Sequence, residues 1–154
     1  MTSKPEIRTA TIEDAPLMAK LEARIFPEDP WPAADIQGMM SVPYVYGHIV
    51  SVEGEDVGYS LIQGAPKAVA DILTIGVVPE GRKKGVAKAL LEAMFDVARE
   101  LEVSSVYLEV RQSNTNARAF YQKAGGVEAG KRPGYYRAQG AIPAEDAIVY
   151  QFVL

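Results

Sequence analysis

Apolar positions along the chain follow the spacing of helices in some segments and that of strands in others. Helical patterns cover Ile12–Phe26, Gly85–Leu101 and Asn114–Ala124, and Asp35–Met40 fits a short further helix. Thr11 precedes the first of these segments in a Thr-x-x-Asp sequence, which is typical of a helix N-terminus. The pattern therefore predicts about four helices.

Strand patterns fill much of the remaining sequence. Ala70–Val78 is rich in β-branched residues and almost continuously apolar, which favours a strand covered on both faces. Ser104–Arg111 alternates, with Glu109 on the opposite side from Leu108 and Val110. The other strand segments are His48–Glu53, Val57–Gln63, Val127–Ala129 and Ala147–Val153. Because strands and helices alternate after an initial hairpin, we predict a mixed sheet flanked by helices.

Composition and charge narrow the classes of protein to which this sheet can belong. The 154 residues fit one domain, and 20 acidic against 16 basic residues give a net charge of −4. An acidic chain lacks the basic face that general nucleic-acid binding needs. No cysteine is present and His48 is the one histidine, so we expect no metal site. Without a secretory signal pattern or an apolar run of ~18 residues, we expect a cytoplasmic protein with no membrane partner.

A basic, glycine-bearing loop separates the third predicted strand from the helix that follows it. Arg82, Lys83 and Lys84 form the only run of three positive residues, and Gly85 allows the backbone to approach a ligand closely. Unpaired N–H groups and the helix dipole favour an anion at such a helix start. The loop therefore predicts a phosphate or pyrophosphate site. Its spacing fits neither the Walker A pattern nor the GxGxxG dinucleotide pattern.

The same loop carries a resemblance to a known family. Arg82-x-x-Gly85-x-Ala87 after an apolar strand resembles the acetyl-CoA pyrophosphate loop of the GNAT acetyltransferases, (Q/R)-x-x-G-x-(G/A). Further segments resemble the RimI-type protein N-terminal acetyltransferases: Phe26-Pro27, Pro30-Trp31, Leu108-Glu109-Val110-Arg111, Ser113-Asn114, Ala119-Phe120-Tyr121 and Asp146-Ala147-Ile148. The resemblance covers most of the chain in order.

This resemblance implies one GNAT domain over residues 1–154. Its fold class is α+β or mixed α/β, with a central, mostly antiparallel mixed sheet of about six to seven strands and about four flanking helices. Acetyl-CoA is the implied co-substrate. The implied cofactor-binding residues are Ile75, Gly76 and Val77 for the pantetheine and thioester, Arg82, Lys83, Lys84, Gly85, Val86 and Ala87 for the pyrophosphate, and Asn114.

The resemblance also implies the chemistry. Glu109 would be the general base and Tyr121 the general acid, in direct transfer without an acyl-enzyme. The acceptor would be the N-terminal α-amine of a protein, with the N-terminal alanine of a small-subunit ribosomal protein as the named candidate. An α-amine of pKa ~7.7–8.0 is partly protonated at neutral pH, so a base is useful. Phe26, Trp31, Tyr135 and Tyr136 would shape the acceptor site.

Other interpretations remain open for several of these residues. Glu109 can be an exposed strand residue, Tyr121 a core residue and Asn114 a helix N-cap. Phe26 and Trp31 can be partly core, and Tyr135 and Tyr136 are predicted to lie in a loop after Pro133-Gly134. His48 is expected to be structural.

Two alternatives concern the whole protein. The acceptor can be a lysine side chain or a small amine, or the chain can be a non-catalytic acyl-CoA-binding module. A monomer or weak dimer is expected.

The chain also departs from the family pattern at Gly125-Gly126, where relatives often have Gly-Phe, so a buried aromatic is missing there.

Overall fold

Seven strands and four α-helices make up the part of the chain that the computed structural model describes, residues 4–82, 85–138 and 140–154. In chain order they are β1 (Glu6–Ala10), α1 (Ala15–Ile25), α2 (Ala33–Met40), β2 (Val45–Val52), β3 (Glu55–Gly64), β4 (Val69–Val77), α3 (Val86–Glu100), β5 (Ser105–Arg111), α4 (Thr115–Lys123), β6 (Val127–Tyr136) and β7 (Glu145–Val153). None of the helices in these ranges has the length and apolar character needed to cross a membrane.

All seven strands join one mixed sheet in the order β1-β2-β3-β4-β5-β7-β6. Neighbouring strands are antiparallel except β4 and β5, which are parallel and joined through α3. The predicted mixed, mostly antiparallel sheet with about four helices is therefore confirmed.

The parallel pair at the centre of the sheet is short. Within the described residues, β4 and β5 pair only from Val69 with Ser105 to Asp71 with Tyr107, and then diverge. On its other side β4 has a bulge, because Leu61 pairs with Thr74 while the next β3 residue pairs with Ile72. A bulge bends a strand, so it coincides with the point where β4 leaves β5.

Helices α1 and α2 cover one face of the sheet. Two glycines in the sheet allow these helices to approach it closely. A Cβ at Gly47 would lie 3.1 Å from the Met40 side chain, and a Cβ at Gly76 would lie 2.7 Å from Ile25. Helix α3 packs against β2, β3 and β4, and its residues Leu91 and Met94 belong to the core that covers the opposite face. We call these the α1/α2 face and the α3/α4 face.

Several predicted boundaries were wrong in informative ways. The strand β1 was missed, since it is a short strand at the edge of the described sheet, where it pairs with β2. The first predicted helix begins as a 3-10 turn over Ile12–Asp14 before α1. The strand β4 is not covered on both faces, because its Leu73–Gly76 stretch is only half-buried beside the divergence from β5.

The predicted loop around Tyr135 and Tyr136 is also wrong, because both residues end strand β6. Pro133-Gly134 signals a turn in the sequence, yet here it forms an irregularity in the pairing of β6 with β7. Gly134 has a φ of +62°, and its N–H donates to Asp146 Oδ1 at 2.8 Å. This contact keeps the chain running along β7.

The space near the missing aromatic of Gly125-Gly126 is filled by another part of the sheet. A Cβ at Gly126 would lie 2.9 Å from Phe152 Cζ, so the Phe152 ring occupies the position that a side chain there would enter. This ring also packs against Phe95, with centroids 5.0 Å apart. An aromatic from β7 thus closes this part of the core.

The buried histidine generates a prediction about pH. His48 is 6% exposed on β2, its Nδ1 has no hydrogen-bond partner among the described residues, and burial lowers its pKa below the ordinary 6.5. Because the unfolded chain then binds the proton more readily, His48 should reduce stability as the pH falls through about 6.5. We expect the unfolding free energy of the wild type, relative to His48→Gln, to decrease between pH 7.5 and pH 5 in denaturant titrations. A difference that stays constant over this range would contradict the assignment.

Candidate active site

A cavity of about 880 Å³ opens where β4 and β5 diverge. Its walls come from the C-terminal end of α1 and the segment after it, from the two diverging strands, from the start of α4, from the end of β6 and from the start of β7. The lining residues include Glu22, Ile25, Phe26, Trp31, Ile72, Leu73, Thr74, Ile75, Leu108, Glu109, Arg111, Asn114, Tyr121, Tyr135, Tyr136 and Glu145. Since the backbone edges of β4 and β5 separate here, an extended ligand can enter between the strands.

Glu109 and Tyr121 reach this cavity from opposite faces of the sheet. Leu108 pairs with Tyr150 across β5 and β7, and the Tyr121 ring lies 6.1 Å from the Tyr150 ring on the α3/α4 face. Glu109 follows Leu108 in the strand and therefore points to the α1/α2 face. The cavity thus connects a carboxylate on one face with a phenol on the other.

The Glu109 carboxylate is paired with a cation at the edge of the sheet. Arg132 Nη1 on β6 lies 3.0 Å from Glu109 Oε1, with side-chain exposures of 53% and 22%. The Arg132 guanidinium also lies over the Tyr135 ring, 4.5 Å from its centroid. Exposed pairs of this kind are worth ~0–1 kcal/mol, so a ligand can displace the arginine at low cost.

A second carboxylate stands close to Glu109. Asp71 is the last β4 residue to pair with β5, and its partner Tyr107 lies on the same face of β5 as Glu109. Burial first, and then the negative charge of Glu109, raise the pKa of Asp71. Two carboxylates therefore lie near one another on the α1/α2 face at the start of the divergence, and Arg132 is paired with one of them.

Tyr121 is buried on α4 among aromatic rings. Its ring makes edge contacts with Phe120 and Phe152, and burial raises the pKa of its phenol to about 12. The hydroxyl is therefore protonated at neutral pH and can act as a hydrogen-bond donor toward the cavity.

The ends of β5 and β6 and the start of β7 are connected beside these groups. Arg111 Nη1 lies 3.3 Å from Glu145 Oε1, and its guanidinium lies 4.3 Å from the centroid of the Tyr136 ring. Glu145 Oε2 accepts from the Ser113 N–H at 2.6 Å, and hydrogen bonds from Ser113 and then Arg111 lower the pKa of Glu145. Burial raises the pKa of Tyr136 to about 12. This network fixes Tyr136 at the cavity wall.

The basic loop lies between β4 and α3, as predicted. Gly85 has a φ of +72° and precedes the helix, whose first intrahelical bond runs from the Ala89 N–H to the Gly85 carbonyl. Arg82 Nε donates to the Val77 carbonyl at 3.3 Å, which anchors the loop to the end of β4. The N–H groups of the first helical turn lack intrahelical acceptors, as at any helix N-terminus, and are therefore available to an anion.

The predicted cofactor residues divide into two groups. Ile75 and Asn114 line the cavity, whereas Gly76 and Val77 and the described loop residues Arg82, Gly85, Val86 and Ala87 do not. Gly76 instead faces Ile25 and Phe26, and the Val86 side chain is buried in the core. Lys83 and Lys84 lie outside the described residues.

Asn114 is the N-cap of α4, which was one of the two roles that the sequence left open for it. Its Oδ1 accepts from the Ala117 N–H at 3.1 Å. The cap uses only the carbonyl oxygen of the side chain, and Asn114 also lines the cavity, so its amide NH₂ is a candidate donor to a ligand.

The four residues predicted to bind the acceptor all line the cavity. Phe26 is 41% exposed and Trp31 is partly buried against the α1 core, so Phe26 is a wall residue and Trp31 is both wall and core. Tyr135 and Tyr136 face each other edge to face at 5.0 Å. Among the residues that the structure describes, no group of three or more His, Asp or Glu side chains is placed to hold a metal.

Comparison with known proteins decides the family. The model of the acetyltransferase (GNAT) family matches residues 15–126. This chain belongs to the GNAT acetyltransferase family. The N-alpha-acetyltransferase RimI of Mycobacterium tuberculosis is 36% identical to it over 146 residues, which are 91% of this chain and 89% of the relative.

Solved structures and further relatives agree with this assignment. The crystal structure of the ribosomal-protein-S18-alanine N-acetyltransferase from Escherichia coli matches with a TM-score of 0.86 and 26% identity, over 97% of this chain and 93% of that one. The Escherichia coli ribosomal protein bS18-alanine N-acetyltransferase is 38% identical over 80 residues, which are 52% of this chain and 53% of the relative. The resemblance to RimI-type enzymes is therefore confirmed, and the chain is an acetyl-CoA-dependent N-acetyltransferase.

Sequence reasoning missed several polar residues of this acetyltransferase site. Glu22, Tyr59, Asp71 and Arg132 were not singled out, although each contacts or adjoins the cavity. One signal was present: Glu22 falls four residues after Met18 on the apolar stripe of α1, where a charged residue is unexpected. Tyr59 and Arg132 are distant in sequence from their partners, so only the folded sheet brings them together.

The double use of Asn114 can be tested with two substitutions. Asn114→Ser keeps a good N-cap but loses the amide, whereas Asn114→Ala loses both and should cost ~1 kcal/mol of stability. We expect weaker acetyl-CoA binding by calorimetry in both variants, with a lower melting temperature only in Asn114→Ala. Wild-type affinity in Asn114→Ser would show that this residue is a cap alone.

Proposed function

We propose that this enzyme transfers the acetyl group of acetyl-CoA to the N-terminal α-amine of a protein, by direct attack and within one domain over residues 1–154. The N-terminal alanine of a small-subunit ribosomal protein is the candidate acceptor. One observation carries the proposal: a single cavity at the β4–β5 divergence joins Glu109 on one face of the sheet to Tyr121 on the other. The Escherichia coli relatives, which are named as ribosomal-protein-alanine N-acetyltransferases, support the acceptor class.

In this proposal acetyl-CoA lies between the diverging strands. Backbone groups of Ile75, Gly76 and Val77 at the open edge of β4 pair with the pantetheine. The start of α3 after Gly85 holds the pyrophosphate, assisted by Arg82 and the two lysines that follow it. The Val77 N–H supplies a donor for the thioester oxygen, on which negative charge develops during attack.

The acceptor approaches from the α1/α2 face, between Phe26 and Trp31 on one side and Tyr135 and Tyr136 on the other. The negative charge of Glu109 and Asp71 favours an incoming α-ammonium group. Glu109 accepts the proton that the nitrogen loses, directly or through water, with Arg132 displaced or held on the other oxygen. The neutral amine then forms a bond to the acetyl carbon while the carbon–sulfur bond breaks.

Tyr121 serves the leaving sulfur on the opposite face. A phenol with a pKa of about 12 is a weak proton source for a thiolate, since a thiol has an ordinary pKa of ~8.5. Full proton transfer would therefore cost about 5 kcal/mol, at 1.36 kcal/mol for each pKa unit. We infer that Tyr121 stabilises the sulfur mainly by donating a hydrogen bond, and that solvent protonates the released thiolate.

The proposal is tested by acetyl transfer to a peptide panel, with mass spectrometry to locate the acetyl group. The panel contains peptides with free N-terminal Ala, Ser, Met or Thr, N-terminally blocked peptides that bear lysine, and small amines. We expect acetylation of the free N-terminal alanine. Label only on lysine or small amines would overturn the acceptor, and no label despite acetyl-CoA binding would favour a non-catalytic module.

Two substitutions test the assigned roles of the carboxylate and the phenol. Glu109→Gln should lower kcat by ~10²–10⁴-fold, the range for general acid–base groups, and Tyr121→Phe should lower it less. Glu100→Gln and Tyr44→Phe, which alter exposed residues outside the cavity, are the matched controls. Retention of wild-type kcat in Glu109→Gln would remove Glu109 from the mechanism.

A further inference from the structure

Glu22 is a buried carboxylate that the proposed mechanism does not use. It lies on α1, is 3% exposed, and is the only carboxylate residue among the described ones that is buried to this degree. No lysine or arginine in the described part of the chain forms an ion pair with it. A buried charge without a cation is costly unless hydrogen bonds compensate it, so its partners indicate its role.

Each oxygen of Glu22 holds a different structural element. The Tyr59 hydroxyl on β3 donates to Oε1 at 2.6 Å, and the Trp31 backbone N–H donates to Oε2 at 3.1 Å. Burial and the adjacent carboxylate raise the pKa of Tyr59, so this phenol remains a donor over the whole working range of pH. The carboxylate therefore links the sheet to the segment between α1 and α2.

That segment has few backbone groups with which to fix itself. It contains Pro27, Pro30 and Pro32, which have no N–H, and it forms no helix or strand. Its two aromatic residues, Phe26 and Trp31, line the cavity on the side proposed for the acceptor. The hydrogen bond from the Trp31 N–H to Glu22 fixes the segment at its far end, next to the start of α2.

Glu22 differs from Glu109 in the partners of its carboxylate oxygens. It reaches the cavity from α1 beside Ile25, and both of its oxygens already accept hydrogen bonds from protein groups. A role in orienting the wall fits these contacts better than a role as proton acceptor, because protein donors already occupy both carboxylate oxygens.

We propose that Glu22 is a positioning residue that connects the Trp31 backbone to Tyr59 and so fixes the acceptor wall. In this role Glu22 sets the affinity for the acceptor and takes no part in the chemical step. This inference rests on the proposed function, because it assumes that the acceptor binds between this segment and β6. It adds Tyr59 as the second member of the same support.

Steady-state kinetics on the full chain provide the first test. Glu22→Ala and Tyr59→Phe should raise the KM for the acceptor peptide by ~10-fold, since hydrogen bonds to charged groups carry such weight. The kcat and the KM for acetyl-CoA should remain within about twofold of wild type. Glu22→Gln, whose amide oxygen can still accept from the Trp31 N–H, should recover part of the acceptor affinity. Glu100→Gln is the matched control for a change of carboxylate to amide.

Fluorescence gives a readout that is independent of turnover. Trp31 is the only tryptophan in the chain, so its emission reports directly on the wall. We expect the emission to shift to the red in Glu22→Ala and Tyr59→Phe, because the Trp31 ring becomes more exposed to water. The shift should be smaller in Glu22→Gln. Circular dichroism identifies any variant that fails to fold. If Glu22→Ala does not fold, Tyr59→Phe and Glu22→Gln still test the positioning role.

Three outcomes would overturn the inference. A fall in kcat with unchanged acceptor KM would place Glu22 in the chemical step, and equal loss in Glu22→Gln and Glu22→Ala would indicate that its charge binds the acceptor directly. Unchanged emission and unchanged acceptor KM would show that Glu22 does not support the acceptor wall.

Failure of the proposed function can be distinguished from failure of this inference. If the wild type acetylated lysine or small amines instead, the proposed function would fail, while the same comparison of variants with that acceptor would still decide the role of Glu22.

Discussion

The short pairing of β4 with β5 is the constraint on which the rest of the site depends. In the described ranges three residue pairs join these strands before the β4 bulge turns them apart, so the centre of the sheet opens instead of closing. Continuous pairing would bury the backbone edges of both strands against each other and remove the cavity. The divergence leaves these edges to a ligand and connects the two faces of the sheet, on which Glu109 and Tyr121 lie.

Negative charge is distributed unevenly around this opening, and the burial of each group decides its behaviour. Glu109 is half-buried and forms an ion pair with Arg132. Glu22 is fully buried and accepts hydrogen bonds from the Tyr59 hydroxyl and the Trp31 N–H. Asp71 has its pKa raised by burial and by the charge of Glu109. Glu109, Glu22 and Asp71 therefore have three different environments, and a carboxylate side chain alone does not distinguish them.

The elements and the family could be predicted from local patterns, because helix and strand periodicities and the Arg82-x-x-Gly85-x-Ala87 loop are continuous in sequence. The family resemblance is confirmed, and the predicted candidate residues Glu109, Tyr121 and Asn114 all line the cavity. The predictions were weakest at the edges of the sheet. The strand β1 and the end of β6 depend on pairing with β2 and β7, which are distant along the chain, and Pro133-Gly134 gave a local turn signal that this pairing overrode.

The sequence by itself determined the four helices, the central strands, the acidic balance, the basic loop at the start of α3 and the likeness to the acetyltransferases, since each is a property of neighbouring residues. Only the tertiary structure decided which strands separate, which face of the sheet each side chain reaches and what each carboxylate contacts. Glu22 illustrates the difference. Its place on the apolar stripe of α1 is visible in the sequence, but its partners Tyr59 and Trp31 come from other elements, and contacts between distant segments exist only once the sheet has formed.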